Sequence, residues 1–186
     1  MQLQRLLSFL PALALATFPA ATLASDNPGS HQHGHARLQM AIEGERIDVL
    51  LLSPAANLVG FEHAPKTDEQ HGKLEELGTW ASQTPLINTA SGSCTVNQAD
   101  VHSTWPAGDE DKDEHDHGHD HQQEGHADIE ISQILACPGL SADGELETTV
   151  MVRFPAMEQL DVQWVSPQNQ GGIRLTNGQS SFTVRR

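Results

Sequence analysis

The sequence predicts an α+β fold of two similar small halves, each an antiparallel β-sheet with a short helix, joined by a disordered His/Asp-rich loop. Three observations carry this prediction. Apolar and polar residues alternate along several short segments, which is typical of half-buried strands. One segment near residue 70 repeats its apolar residues at helical spacing. Between the halves, a stretch of 18 residues contains no apolar side chain.

The first 24 residues are predicted to be a secretory signal peptide and not part of the fold. Arg5 supplies a positive charge, Leu6–Phe18 is an apolar run, and Thr22-Leu23-Ala24 fits a small-residue cleavage site. Cleavage is expected after Ala24, so the protein is expected to be exported. No later stretch has the roughly 18 apolar residues of a membrane span, and the mature protein is expected to be soluble.

The first half, residues 25–107, is predicted to contain a hairpin, a helix and a further strand. The hairpin pairs Ala36–Glu43 with Arg46–Leu52 through a turn at Gly44. The pattern Thr67-x-x-Gln70 is a capping box and starts a helix of about a dozen residues. The strand covers Cys94–His102, and the preceding stretch 84–93 is predicted to be a loop.

The second half, residues 126–186, repeats alternating segments. Three strands are predicted, and one further hairpin is expected at the Asn177-Gly178 turn, since Asn-Gly fits a type I′ turn. The strands are Asp128–Leu135, Glu145–Phe154 and Leu160–Val165, and the hairpin pairs Ile173–Thr176 with Gln179–Val184.

Charge and cysteine content restrict the function and the compartment. The chain of 186 residues has a formal net charge of -15, which argues against a nucleic-acid partner and suits the capture of cations. Its two cysteines, Cys94 and Cys137, are expected to form a disulfide in an oxidising compartment. That bridge would close a loop around the linking segment and clamp its roots. The alternative is that both sulfurs bind metal as thiolates.

The linking segment, residues 108–125, is predicted to be a metal-binding loop, here called the His/Asp tract. Four histidines alternate with Asp and Gly, and acidic residues flank them. Imidazole suits zinc, nickel and copper, and carboxylates add favourable charge. With no apolar surface to bury, the tract is expected to be disordered and to bind metal adaptively. The predicted ligands are His115, His117, His119 and His121.

Further ligands are predicted outside the tract. A second cluster of alternating histidines stands before the first strand, and the sequence Gly-His-Ala occurs at 34–36 and again at 125–127. This repeat predicts that His35 and His126 approach each other in one ordered site. A loop between the first hairpin and the helix adds an adjacent carboxylate and imidazole. These candidates are His31, His33, His35, Glu62, His63 and His126.

Three functional classes are compatible with a protein rich in metal ligands: a metalloenzyme, a zinc-capture protein and a buffer or chaperone for another metal. Catalysis is not expected, since the sequence contains no H-E-x-x-H helix, nucleophile elbow or P-loop. A protein that captures Zn²⁺, with more than one ion per chain, is favoured. A buffer or chaperone for nickel or copper is the alternative. The four methionines form no Met-rich motif, which disfavours Cu(I), whereas imidazole accepts nickel as well.

Several of these features together resemble a known family. They are the leader, the sequence HQHGHA at 31–36, the stretch SPAANLVGFEHAPKTDEQ at 53–70, one cysteine in each half and the central His/Asp tract. The chain resembles the ZrgA family of periplasmic zinc-binding proteins from Gram-negative bacteria over essentially its whole mature length. The resemblance implies a two-domain α/β protein that binds zinc in the periplasm, is made under zinc limitation and works with an inner-membrane zinc ABC importer.

Overall fold

Strict alternation of apolar and polar residues near residue 40 builds the hairpin at the centre of the fold. The computed structural model of the protein describes residues 32–105, 126–140 and 143–185. In chain order its elements are β1 (His35–Glu43), β2 (Arg46–Pro54), α1 (Ala55–Val59), α2 (Asp68–Gln83), β3 (Asn88–Thr89), β4 (Thr95–Thr104), β5 (Asp128–Ala136), β6 (Asp143–Glu147), α3 (Val150–Arg153), β7 (Gln159–Val165), β8 (Gln170–Thr176) and β9 (Ser181–Arg185). The predicted pairing of β1 with β2 is confirmed.

Six strands form one sheet in the order β4-β5-β2-β1-β7-β8. Neighbouring strands are antiparallel except β1 and β7, which run parallel. The alternate apolar residues of these strands are buried, with Leu38, Leu51 and Ile131 fully excluded from solvent. They share one core with residues of the helices and of a second sheet, β3-β6-β9. The sheet-rich α+β class is therefore confirmed.

The predicted separation into two sheets, one in each half of the sequence, is not confirmed. The described residues all fall in one compact unit. Strand β5, from the second half, lies between β2 and β4 of the first and pairs with β2 over nine residues. The physical reason is burial, because one large core removes a greater share of the chain from water than two small cores can. The predicted signal peptide and the His/Asp tract lie outside the described residues.

Helix α2 begins as its capping box predicts. The Thr67 hydroxyl accepts a hydrogen bond from the Gln70 backbone N–H at 3.3 Å. The Gln70 side chain in turn accepts from the Lys66 N–H at 2.8 Å. Leu77 and Ala81 form the buried part of the predicted apolar face. Helix α1 was not predicted, and β3 lies in a stretch predicted to be a loop.

Two predictions in the second half were wrong. The predicted strand Glu145–Phe154 stops at Glu147 and is followed by α3. Thr148 explains the break: its hydroxyl donates to the Leu86 carbonyl and accepts from the Val150 N–H. Helical geometry then turns Val152 to solvent, where it is 77% exposed.

Strands β8 and β9 do not form the predicted hairpin. Although the chain does turn at Asn177-Gly178, β8 pairs with β7 and β9 pairs with β6 in the other sheet. Leu175 and Phe182 are both buried in the shared core, so the turn carries the chain from one sheet to the other.

The predicted disulfide between Cys94 and Cys137 is present, which removes the alternative of two thiolate ligands. The bridge closes a loop that contains the His/Asp tract, as predicted, but it does not clamp the roots of the tract. Cys94 precedes β4 and Cys137 follows β5, whereas the His/Asp tract connects the opposite ends of these two strands. A strand of nine residues spans roughly 30 Å, so the bridge lies far from the roots of the tract.

Within the described ranges, no helix combines the length and the apolar character that crossing a membrane requires.

Candidate metal centre

Three side chains from distant parts of the sequence meet near the start of β5, where it pairs with the end of β4. The Nε2 atom of His33 lies 2.8 Å from Oε1 of Glu62. The Nδ1 atom of His126 lies 2.8 Å from Oε2 of the same carboxylate. The two imidazole rings are nearly perpendicular, with centroids 6.0 Å apart. Across residues 32–105, 126–140 and 143–185, this is the one group of three or more His, Cys, Asp or Glu that could hold a metal ion.

Short backbone contacts place each of the three residues. His33 lies in a turn closed by a hydrogen bond from the His35 N–H to the Gln32 carbonyl at 3.0 Å. Helix α1 ends at Gly60, whose left-handed conformation (φ +84°) redirects the chain toward Glu62. His126 precedes Ala127, which is fully buried and whose carbonyl accepts the Ala55 N–H at 2.8 Å.

Glu62 is the most protected member of the group. Its side chain is 18% exposed, against 62% for His33 and 37% for His126. Burial raises the pKa of Glu62, but the hydrogen bonds from His126 and His33 and the charges of both rings outweigh it and lower the pKa below its ordinary value. Glu62 is therefore a carboxylate at neutral pH, and one anion is shared by two imidazoles.

Two imidazole nitrogens and a carboxylate oxygen are a ligand set that zinc accepts in proteins. The three candidate ligand atoms lie within 4.8 Å of one another. A tetrahedral zinc ion sets its ligand atoms about 3.3 Å apart, so no pair needs to change its separation by more than about 1.5 Å. Three protein ligands leave a fourth position for water or for a ligand from another molecule.

The structure separates several predicted ligands from this group. His35, predicted to partner His126, is not a member, and His126 meets His33 instead. His35 begins β1 and lies near Asp161, whose pKa is lowered first by a hydrogen bond from Arg174 and least by the charge of His35. His33 is thus a candidate ligand, whereas His35, two residues later, is part of a strand.

Glu62 and His63, predicted as a pair, turn to different surroundings. The Nδ1 atom of His63 contacts the Ala64 carbonyl at 2.8 Å, and its ring stacks on Phe61 with centroids 5.4 Å apart. The Phe61 ring also stacks on Trp105, the last described residue before the tract. His31 and the tract histidines His115, His117, His119 and His121 lie outside the described residues.

Gly34 and Asn57 hold the turn that carries His33, and neither was among the predicted site residues. Gly34 has a left-handed backbone conformation (φ +79°). Asn57 is buried and contacts this turn through its amide group. A sequence signal was present for Gly34, since glycine is the residue that a positive φ favours. Nothing in the sequence around Asn57 indicates its contact with a turn 23 residues earlier.

Comparison with known proteins identifies a family for the chain. A family model described as ZrgA family zinc uptake protein matches residues 30–184. The matched range covers the described fold from Gln32 into β9 and so includes the positions of His33, Glu62 and His126. No curated protein matches the chain significantly.

Proposed function

The chain belongs to the ZrgA family of zinc uptake proteins, and from this premise we propose that it captures Zn²⁺ between His33, Glu62 and His126 for delivery to a zinc importer. The observation that carries the proposal is the convergence of these three residues on one carboxylate. It is a binding role rather than an enzymatic one, since the ion itself is the cargo.

The exposure of the ligands suits an ion that must be taken up and released. His33 and His126 are reachable from solvent, while the carboxylate between them is mostly covered. The open fourth position gives an acceptor molecule a place to bind the ion before the protein ligands let go. A site closed by four protein ligands would instead be typical of structural zinc.

The His/Asp tract extends this role in the proposal. Its four alternating histidines and its acidic residues would collect Zn²⁺ near the ordered site and raise the number of ions per chain above one. The tract leads directly into His126, so collected ions would be held next to the ordered ligands.

Location and partner follow from the leader, the disulfide and the family. A disulfide persists in the oxidising periplasm, and the predicted signal peptide would direct the chain there. The proposed partner is an inner-membrane zinc importer of the ABC class.

The alternative, a buffer for nickel or copper, has one observation against its Cu(I) form. Met40, Met151 and Met157 are all buried in the core, and both cysteines are bridged. These residues therefore offer no accessible soft sulfur ligand for Cu(I). Nickel is distinguished from zinc by competition of the two ions for the same sample.

The test is calorimetric titration of Zn²⁺ into four forms of the protein. The parent should bind more than one ion. A tract variant with His115, His117, His119 and His121 replaced by Gln should keep one site. Adding His33→Ala and His126→Ala to that variant should abolish it. The matched control adds His71→Ala and His102→Ala instead, since both are exposed histidines outside the group. Equal affinity of the last two forms would refute the proposed site.

A further inference from the structure

Asn57 is a buried polar residue in α1, and its side-chain amide makes three hydrogen bonds to other residues. It is 5% exposed. Its Oδ1 accepts the Gly34 backbone N–H at 2.9 Å. Its Nδ2 donates to the His35 carbonyl at 3.0 Å and to the Ser53 hydroxyl at 3.1 Å. An amide is costly to bury unless it is hydrogen-bonded. The three bonds of Asn57 offset this cost and fix the segments that contain their partners.

Two of these bonds grip the backbone on the C-terminal side of His33. The Gly34 carbonyl is held as well, because it accepts the N–H groups of Glu158 and Gln159 at 2.7 and 2.9 Å. Gly34 is therefore fixed at both its N–H and its carbonyl. The backbone of His33 is thus anchored although its side chain is 62% exposed.

Helix α1 is also connected to the segments that carry the other two ligands. Ala55, two residues before Asn57, donates its N–H to the carbonyl of Ala127, next to His126. Glu62 follows Asn57 by five residues, after the left-handed turn at Gly60. Three chain segments far apart in sequence are therefore tied to α1, and Asn57 makes the tie to His33.

We infer that Asn57 is a positioning residue of the metal centre: it sets His33 at the distance from Glu62 and His126 that one ion requires. The inference rests on the proposed zinc site. Its competitor is that Asn57 contributes only to the stability of the fold, as a buried hydrogen-bonded amide does anywhere in a core. The two differ in whether the metal ligands lose their geometry when the protein stays folded.

A matched control is available in Gln133, which is 2% exposed and equally well bonded. It accepts the Leu86 N–H at 2.8 Å and donates to the carbonyls of Ala81 and Thr84. Gln133 lies on β5 five residues beyond Asp128, beneath the end of α2 and not beside the ligands. Its loss should destabilise the fold comparably without moving His33.

The experiment introduces Asn57→Ala and Gln133→Ala separately into the tract variant defined above, and measures Zn²⁺ affinity by chelator competition and the visible absorption of bound Co²⁺. Groups hydrogen-bonded directly to metal ligands typically contribute 10-fold to 100-fold to affinity. Asn57 acts one step further away, through the backbone of Gly34 and His35. Asn57→Ala should therefore weaken Zn²⁺ binding by about 10-fold, the low end of that range, and change the Co²⁺ spectrum. Gln133→Ala should change neither.

A second variant, Gly34→Ala, disturbs the same turn at the other partner of its hydrogen bond to Asn57 and leaves the Asn57 side chain unchanged. A methyl group there would contact the Glu158 side chain at 3.3 Å and would sit on a positive φ, so the turn has to shift. It should also weaken Zn²⁺ binding and change the spectrum, and it decides the question if Asn57→Ala does not fold. Unchanged affinity and spectrum in a folded Asn57→Ala, or in Gly34→Ala, would overturn the inference. So would an equal loss in Gln133→Ala. If His33→Ala with His126→Ala leaves binding intact, the zinc site itself is wrong.

Discussion

The paired strands β4 and β5 are held in different ways at their two ends. At one end Cys94 and Cys137 are bridged and buried, at 5% and 0% exposure, and the Cys137 N–H bonds to the Glu45 carbonyl. At the other end the last strand pair is Thr104 with Asp128, and His126 lies just beyond it, 37% exposed. The Ala55 N–H of α1 holds that end through its hydrogen bond to the Ala127 carbonyl.

One end has a permanent covalent link, and the other end has side chains that can bind and release an ion. A covalent, buried link keeps the strands paired in every metal state of the protein. A site that takes up and releases an ion needs side chains that can approach and separate, with the backbone beneath them fixed. Backbone hydrogen bonds provide this at the ligand end, since those of Ala55 and Gly34 fix main-chain atoms and do not involve the imidazole rings.

Removing the disulfide is expected to have the largest effect, and on stability alone. The bridge joins residues 43 apart, and for a loop of that size the chain-entropy model gives about 4 kcal/mol. Cys94→Ala with Cys137→Ala should lower the free energy of unfolding in urea by about this amount. Zn²⁺ affinity of the folded protein should change less than about 2-fold, because the ligands lie roughly 30 Å away. A large loss of affinity would show that the two ends are coupled.

Removing a ligand should have the opposite pattern. Since groups behind metal ligands typically cost 10-fold to 100-fold in affinity, His126→Ala in the tract variant should weaken Zn²⁺ binding by more than about 100-fold. Its free energy of unfolding without metal should fall by no more than about 1 kcal/mol, the usual contribution of one hydrogen bond such as that to Glu62. His102→Ala, on the exposed face of β4, is the control for removing one histidine. The comparison fails if His126→Ala destabilises the metal-free fold as the disulfide variant does.

How far the sequence predicts this molecule depends on the range of each signal. The β1–β2 hairpin and the start of α2 were predictable because alternation, Gly44 and the Thr67 cap act within a few residues. The position of β5 between β2 and β4 was not, because strand order is settled by the whole core. Alternation alone extends a strand to Phe154, but the hydrogen bond from Thr148 to the Leu86 carbonyl ends that strand earlier.

The candidate site shows the same division. The Gly-His-Ala repeat predicted that His35 and His126 approach each other in one ordered site, with His33 as a further candidate ligand. Sequence patterns could not rank His33 above His35, since the two are neighbours in an alternating run. That choice depends on where β1 begins and on the hold of Asn57 on Gly34, which are contacts between segments distant in sequence.

The smallest expected effect is a pH dependence confined to the ligand end. The pKa of Glu62 is lowered from its ordinary value in the folded protein, because its hydrogen bonds to the two imidazoles outweigh the effect of burial. A lowered pKa means that the carboxylate contributes stability above the unfolded pKa, and that this contribution is lost as pH falls through the folded value. With a chelator present, Glu62→Gln should therefore be less stable than the parent at pH 7 by about 1 kcal/mol. In urea unfolding at a series of pH values, that difference should shrink below pH 4.5. The deficit of the disulfide variant should stay constant over the same range, because a covalent link does not titrate. A Glu62→Gln deficit that is also constant would mean that the charge of the shared carboxylate does not hold the two imidazoles.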